Sequence, residues 1–106
     1  MQSNKYTLSN FRNIPISTNE EISKLQFDSE DVLIREEDIR VRRTNLDKAI
    51  SLARSEKFST SIIVKAAQNL FRIESTVLSI DNGFVVTKSG LKIPLNCIYS
   101  ADFHSN

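Results

Sequence analysis

The chain has 106 residues, which is the size of one small domain and leaves no room for two. Its 14 Lys and Arg residues nearly balance its 13 Asp and Glu residues. Proteins that bind nucleic acid mainly through the phosphates normally carry a clear basic excess, so this balance argues against that class.

The single cysteine, Cys97, cannot form an internal disulfide, which fits a reducing compartment. No apolar run approaches the roughly 20 residues that cross a bilayer. The N-terminus also lacks a basic segment followed by an apolar one. These features predict a cytoplasmic protein that has no contact with a membrane.

Residues 1–28 are rich in Asn, Ser and Thr, and their apolar side chains follow neither a period of two nor one of 3.6. This predicts an irregular or partly disordered segment that packs loosely on the domain and is separable from it. Residues 13–16 are the exception, because Pro15 favours an extended backbone before it and leaves an added edge strand as the alternative. We therefore expect an extension over residues 1–33 and a domain over residues 34–106.

Between residues 29 and 43, acidic residues come first and basic residues second. If this stretch is helical, Glu36 faces Arg40 and Asp38 faces Arg42, and each pair contributes about 0.2–0.5 kcal/mol. The pattern favours a solvated, charge-paired surface. The alternative is that the arginine cluster binds a phosphate group or a partner.

A helix is predicted to begin or restart at Thr44, a good N-cap residue that has Asp47 at the N3 position. Four apolar residues then fall on one side of this helix at i, i+3, i+4 and i+7. They are Leu46, Ala49, Ile50 and Ala53. This stripe needs a sheet to cover it.

The rest of the chain contains short β-patterned runs at residues 60–67, 70–81, 84–87, 91–95 and 98–103. In the second run the apolar side chains change face beyond Val77, which predicts a bulge or a sharp bend. Turn residues separate the runs at Gln68-Asn69, Asp81-Asn82-Gly83, Lys88-Ser89-Gly90 and Asn96-Cys97. The pattern predicts a mainly β protein with an N-terminal helix (α+β), in which four or five antiparallel strands close into a small barrel.

This order of elements is that of the Sm-like and SH3-like small barrels. Over roughly residues 40–103, the chain also resembles a group of short uncharacterised bacterial proteins, through Arg42-Arg43-Thr44, Leu46, Ala49, Gly90, Ile93-Pro94 and Ile98. The end of the chain, residues 95–104, is similar to the close of the Rof family, modulators of Rho-dependent transcription termination with an Sm-like fold. These resemblances imply an Sm-like barrel and supply no catalytic residues.

Few residues carry catalytic chemistry. His104 and Cys97 are the one histidine and the one cysteine, and we interpret Cys97 as a core residue and His104 as a tail residue. Gly83 and Gly90 both fit hairpin turns rather than a phosphate-binding loop. We expect no cofactor, no metal site and no enzymatic activity.

The candidate contacts to a partner or a nucleic acid are Arg40, Arg42, Arg43, Arg72, Lys88 and Lys92. Phe71 beside Arg72, or Phe84 near Lys88, offers an aromatic ring for base stacking, although the period of two favours core packing for Phe71. The balanced charge favours a non-enzymatic module that binds a protein partner. The alternative is an Sm-like protein that binds RNA or modulates transcription.

The helix stripe and the strand faces predict a core of Leu46, Ile50, Ile62, Val64, Phe71, Ile73, Val77, Val86, Ile93 and Ile98. Assembly into a ring by edge pairing is not expected, because Pro94 lacks an N–H group and Lys92 places a charge on the same strand. We therefore expect a monomer, or at most a dimer joined through another surface.

Overall fold

The computed structural model describes residues 13–27, 29–54 and 58–105, and it describes residues 104 and 105 by their backbone alone. The elements are α1 (Asn19–Ser23), α2 (Glu36–Ser51), β1 (Phe58–Ala66), β2 (Asn69–Ser75), β3 (Val77–Asp81), β4 (Phe84–Thr87), β5 (Lys92–Pro94), a 3-10 turn (Leu95–Cys97) and β6 (Ile98–Ser105). No helix in the described part of the chain is long and apolar enough to span a bilayer.

The described strands form two antiparallel sheets of three strands, in the orders β2-β1-β6 and β3-β4-β5. The bend predicted in the run over residues 70–81 is confirmed, because Thr76 separates β2 from β3 and a register shift follows between Val77 and Ser79. The prediction of a mainly β protein with a helix is also confirmed. The sheets do not close into a barrel, because the break at Thr76 places β2 and β3 in separate sheets.

The core lies where the two sheets and the helices meet. Seven of the ten predicted core residues are buried: Leu46, Ile62, Val64, Ile73, Val77, Ile93 and Ile98. Ile50 and Phe71 are half-buried at its margin. The prediction for Val86 is wrong, because β4 points Val85 inward, opposite Ile80 and Ile93.

The long helix α2 starts earlier than predicted. It runs from Glu36 through Thr44 without interruption, so the N-cap prediction at Thr44 is wrong. Three acidic residues occupy its first turn, where the helix dipole favours negative charge. Leu46 and Ala49 are buried as predicted, and Arg42 extends the same buried stripe by one turn.

The segment before α2 is more ordered than the sequence indicates. Thr18 and Glu21 form a reciprocal capping box at the start of α1, and Ile22 within α1 is 1% exposed. The expected loose packing is therefore wrong for α1. A single buried side chain, Ile22, anchors this short helix, and a single side chain leaves no hydrophobic period in the sequence. Residues 1–12 lie outside the described part of the chain, and the domain boundary at residue 34 stays a prediction.

The possible edge strand over residues 13–16 is present as one isolated bridge. Ile16 pairs in parallel with Arg72 of β2, and the Ser17 N–H donates to the Arg72 carbonyl oxygen at 2.7 Å. This contact occupies part of the open edge of β2.

Two hairpin turns have the same backbone form but different residues. Asn82 and Gly83 have φ of 50° and 80°, as expected for the turn predicted there. The turn predicted at Gln68-Asn69 lies one residue earlier, at Ala67 and Gln68, with φ of 50° and 66°. Neither Ala nor Gln favours positive φ, so this turn is strained.

Replacing Ala67 with Asn and Gln68 with Gly is expected to raise the free energy of unfolding by about 1 kcal/mol, because the introduced Asn and Gly tolerate positive φ. Urea denaturation measures the change. The matched control places Ala at position 82 and Gln at position 83, and the same physical reason predicts a loss of stability there. An unchanged or lower midpoint for the first variant contradicts the prediction.

Candidate interaction surface

The outer face of the β3-β4-β5 sheet is the candidate interaction surface among the described residues, because it exposes an aromatic ring. Side chains alternate between the two faces of a strand, and Val85 of β4 and Ile93 of β5 are buried in the core. Their neighbours along the strands therefore point outward. We name this surface the Phe84 face, and its residues are Ser79, Asp81, Phe84, Val86, Lys92 and Pro94.

Strand pairing fixes the layout of the Phe84 face. Phe84 on the central strand lies between Asp81 of β3 and Pro94 of β5. Val86, two residues further along, has Lys92 as its partner on β5. Directly opposed side chains have their Cβ atoms about 4.5–5.5 Å apart, so these residues touch across the strands. The face thus has an apolar centre, an acidic flank on β3 and a basic flank on β5.

Phe84, the first residue of the central strand, has 41% of its surface exposed. Val86 and Pro94 beside it are half-buried. Single exposed apolar residues are common and need no explanation. A phenyl ring flanked by two further apolar side chains on a regular sheet face marks a candidate contact surface.

No protein-family model, no curated protein and no solved structure matches this chain.

The six predicted contact residues do not form one cluster. Lys92 lies on the Phe84 face, and Lys88 is exposed in the turn after β4, where its N–H donates to the Thr76 carbonyl at 2.8 Å. Arg40 and Arg43 are exposed on α2, and Arg43 pairs with Asp47 at 3.1 Å.

The remaining two arginines are engaged within the fold. Arg72 on β2 is half-buried and bonds Glu74 at 3.1 Å. Arg42 is buried, so the prediction that it lies on a solvated or partner-binding surface is wrong. Neither predicted helix pair forms among the described residues, because Arg42 bonds Asp31 rather than Asp38 and Glu36 does not bond Arg40.

Arg42 forms a two-pronged ion pair with Asp31. Its Nη1 and Nη2 donate to the two carboxylate oxygens at 2.9 and 2.8 Å, and Nη1 also donates to the Ile98 carbonyl at 2.9 Å. Burial raises the pKa of Asp31, but hydrogen bonds from Arg42 and the Leu33 N–H, with the nearby positive charge, outweigh it and lower the pKa overall. This ion pair fastens the segment before α2 to the domain.

The outer strands of the first sheet are partly covered by other elements. The Asn45 side-chain amide of α2 donates to the Ala101 carbonyl of β6 at 3.0 Å, and Arg42 takes the Ile98 carbonyl of the same strand. Ser17 occupies the Arg72 carbonyl on β2. Edge strands that are covered in this way are poor templates for pairing with another sheet.

Catalytic groups do not converge in the described part of the chain. Cys97 is fully buried in the 3-10 turn, as the core interpretation predicts, and the Asn96 amide lies 3.7 Å from its Sγ. The His104 side chain is outside the described residues. Among the described side chains, no three His, Cys, Asp or Glu groups come together as metal ligands.

The sequence held a partial signal for the Phe84 face. The sequence indicates Phe84 as a candidate for stacking, but it predicts Val86 in the core. In Phe84-Val85-Val86 both strand faces are apolar, so alternation does not show which side faces the core. Only the pairing of Val85 with Ile80 and Ile93 resolves it.

Proposed function

We propose that this protein is a cytoplasmic, non-enzymatic interaction module of the Sm-like and SH3-like small-barrel type, which binds a protein partner through the Phe84 face. One observation carries the proposal: Phe84 is 41% exposed at the start of the central strand, with the apolar side chains of Pro94 and Val86 beside it on the same sheet face. Exposed aromatic residues with an apolar surround are the usual anchors of protein interfaces. The order of elements, a helix followed by six short antiparallel strands, supports the relation to the small barrels, although the two described sheets stay open.

The charges on the Phe84 face favour a protein partner over a nucleic acid. Asp81 stands directly across from Phe84, where a base stacked on the ring would bring its phosphate near a carboxylate. The whole chain is also nearly neutral, with 14 basic and 13 acidic residues. Protein interfaces accept such a mixed rim, whereas phosphate binding needs a basic excess.

Replacing Phe84 with Ala is expected to weaken partner binding at least about 30-fold, since truncating an interface anchor costs roughly 2 kcal/mol or more. Partners captured from the native cell by the wild-type protein and identified by mass spectrometry provide the assay. Val41→Ala is the matched control, because Val41 is similarly exposed but lies on α2. A partner that binds the Phe84 variant as tightly as the wild type contradicts the proposal.

A specific observation keeps RNA binding as the second candidate. Lys92 shares the Phe84 face with Phe84, and Lys88 is exposed in the turn after β4, so a ring and two cations lie on β4, β5 and the turn between them. This arrangement suits single-stranded RNA and a role in modulating transcription. Gel shifts on mixed RNA that weaken steeply with salt and need Phe84 favour this candidate over the first.

The small size of the two sheets and the partly covered edges of the β2-β1-β6 sheet support a monomer or a dimer rather than a ring. Strand β5 has three residues and ends in Pro94, which has no N–H to donate. Strand β6 has two carbonyl oxygens bonded to side chains of α2. Among the described residues, the Phe84 face offers an uncovered sheet surface for association.

A further inference from the structure

We infer that the partner of the Phe84 face is a second copy of this chain. The two copies join face to face, and the twofold axis lies between the two faces, parallel to β4. The inference rests on the proposed function, because it names the occupant of the same surface. It is carried by the arrangement of charge across the three strands.

The Phe84 face is electrically self-complementary. Strand order places Asp81 of β3 on one side of the central strand and Lys92 of β5 on the other. A twofold rotation about this axis places the β3 flank of each copy over the β5 flank of the other. Each carboxylate then meets an ammonium group, while Phe84 lies near the axis in both copies.

The register of the strands keeps these charges within reach. Asp81 is level with Phe84 and Lys92 is level with Val86, so the two charged residues are offset by two positions along β4. That offset is about 7 Å, which the long flexible lysine side chain spans. Asp81 accepts a hydrogen bond from Ser79 at 3.1 Å, and this bond holds the carboxylate on the face. Lys92 is exposed.

The size of the face sets the expected strength. Its strands contain five, four and three residues. Such a face is smaller than the roughly 800 Å² per partner of a standard stable interface. The dimer is therefore weak, and its mass has to be followed by sedimentation up to about 1 mM protein at low salt.

Two charge reversals test the inference. Asp81→Lys places lysines on both flanks, and Lys92→Asp places carboxylates on both, so each variant alone is expected to dimerise at least about tenfold more weakly than the wild type. An equimolar mixture of the two variants restores both charge pairs between unlike chains. The mixture is expected to form heterodimers with near wild-type affinity. Arg40→Glu, an exposed reversal on α2, is the control and leaves dimerisation unchanged.

The possible outcomes separate this inference from the proposed function. A wild-type protein that stays monomeric at about 1 mM overturns the second copy as the occupant. Phe84-dependent capture of a different protein leaves the proposed function standing in that case. Dimers that ignore both reversals, or a mixture that remains monomeric, also overturn the inference. Because Lys92 lies on β5, away from the β3-β4 hairpin that contains Asp81, the Lys92→Asp variant tests the inference even if Asp81→Lys fails to fold.

Discussion

Replacing Asp31 with Ala is expected to lower the free energy of unfolding by about 3–5 kcal/mol, because it leaves the buried Arg42 charge without its partner. The two side chains differ in access to water: Arg42 is 3% exposed and Asp31 is 29% exposed. Arg42 Nε is already buried without a hydrogen-bond partner. Loss of the carboxylate therefore leaves a buried guanidinium group without a counter-charge.

Removal of the other partner of the ion pair, Arg42, provides the matched control. Arg42→Met leaves Asp31 partly hydrated and still bonded to the Leu33 N–H, and it removes one bond from the Ile98 carbonyl. We expect a smaller cost of about 1–2 kcal/mol, and a double variant close to Arg42→Met alone. Urea denaturation of the three variants measures these differences. A larger loss for Arg42→Met than for Asp31→Ala contradicts the asymmetry.

Acid titration checks the same ion pair in the wild-type protein. The folded-state pKa of Asp31 lies below its ordinary value of 3.8. A lowered folded-state pKa means that the carboxylate stabilises the fold above pH 3.8 and that this contribution is lost as the pH falls through the folded value. The stability difference between the wild type and Asp31→Asn is thus expected to shrink below about pH 4.

Replacing Ile22 with Ala is expected to cost about 2–5 kcal/mol, although Ile22 lies in the segment that the sequence presents as separable. Its side chain belongs to the same buried cluster as Leu46 and Ile93, and Leu25 and Phe27 pack against that cluster. The truncation of a large buried side chain leaves a cavity that the surrounding residues only partly fill. Thermal or urea denaturation measures the loss.

Ile16→Ala is the control for Ile22, because Ile16 is more than half exposed and its change is expected to stay within about 0.5 kcal/mol. Because Ile22 belongs to the buried cluster, deletion of residues 1–28 is expected to weaken cooperative melting. An Ile22 variant as stable as the Ile16 variant contradicts the placement of α1 in the core.

Local features of the sequence determined the course of the chain. The stripe of Leu46 and Ala49 follows the helical period, and their burial confirms it. Asn82-Gly83 required positive φ and formed the expected hairpin turn. The change of apolar face after Val77 predicted the bend in this run, which the structure shows as the break at Thr76 and the register shift after Val77. Each signal reflects a constraint that a few neighbouring residues impose on the backbone or on side-chain direction.

Contacts between distant residues decided the rest. Arg42 is buried because Asp31, eleven residues earlier, and the Ile98 carbonyl together compensate its charge. Ile22 enters the core without a helical period, since one side chain suffices to fill a place between the sheets. The Phe84 face exists because strand pairing turned Val85 inward, although a run that is apolar on both sides fits either orientation.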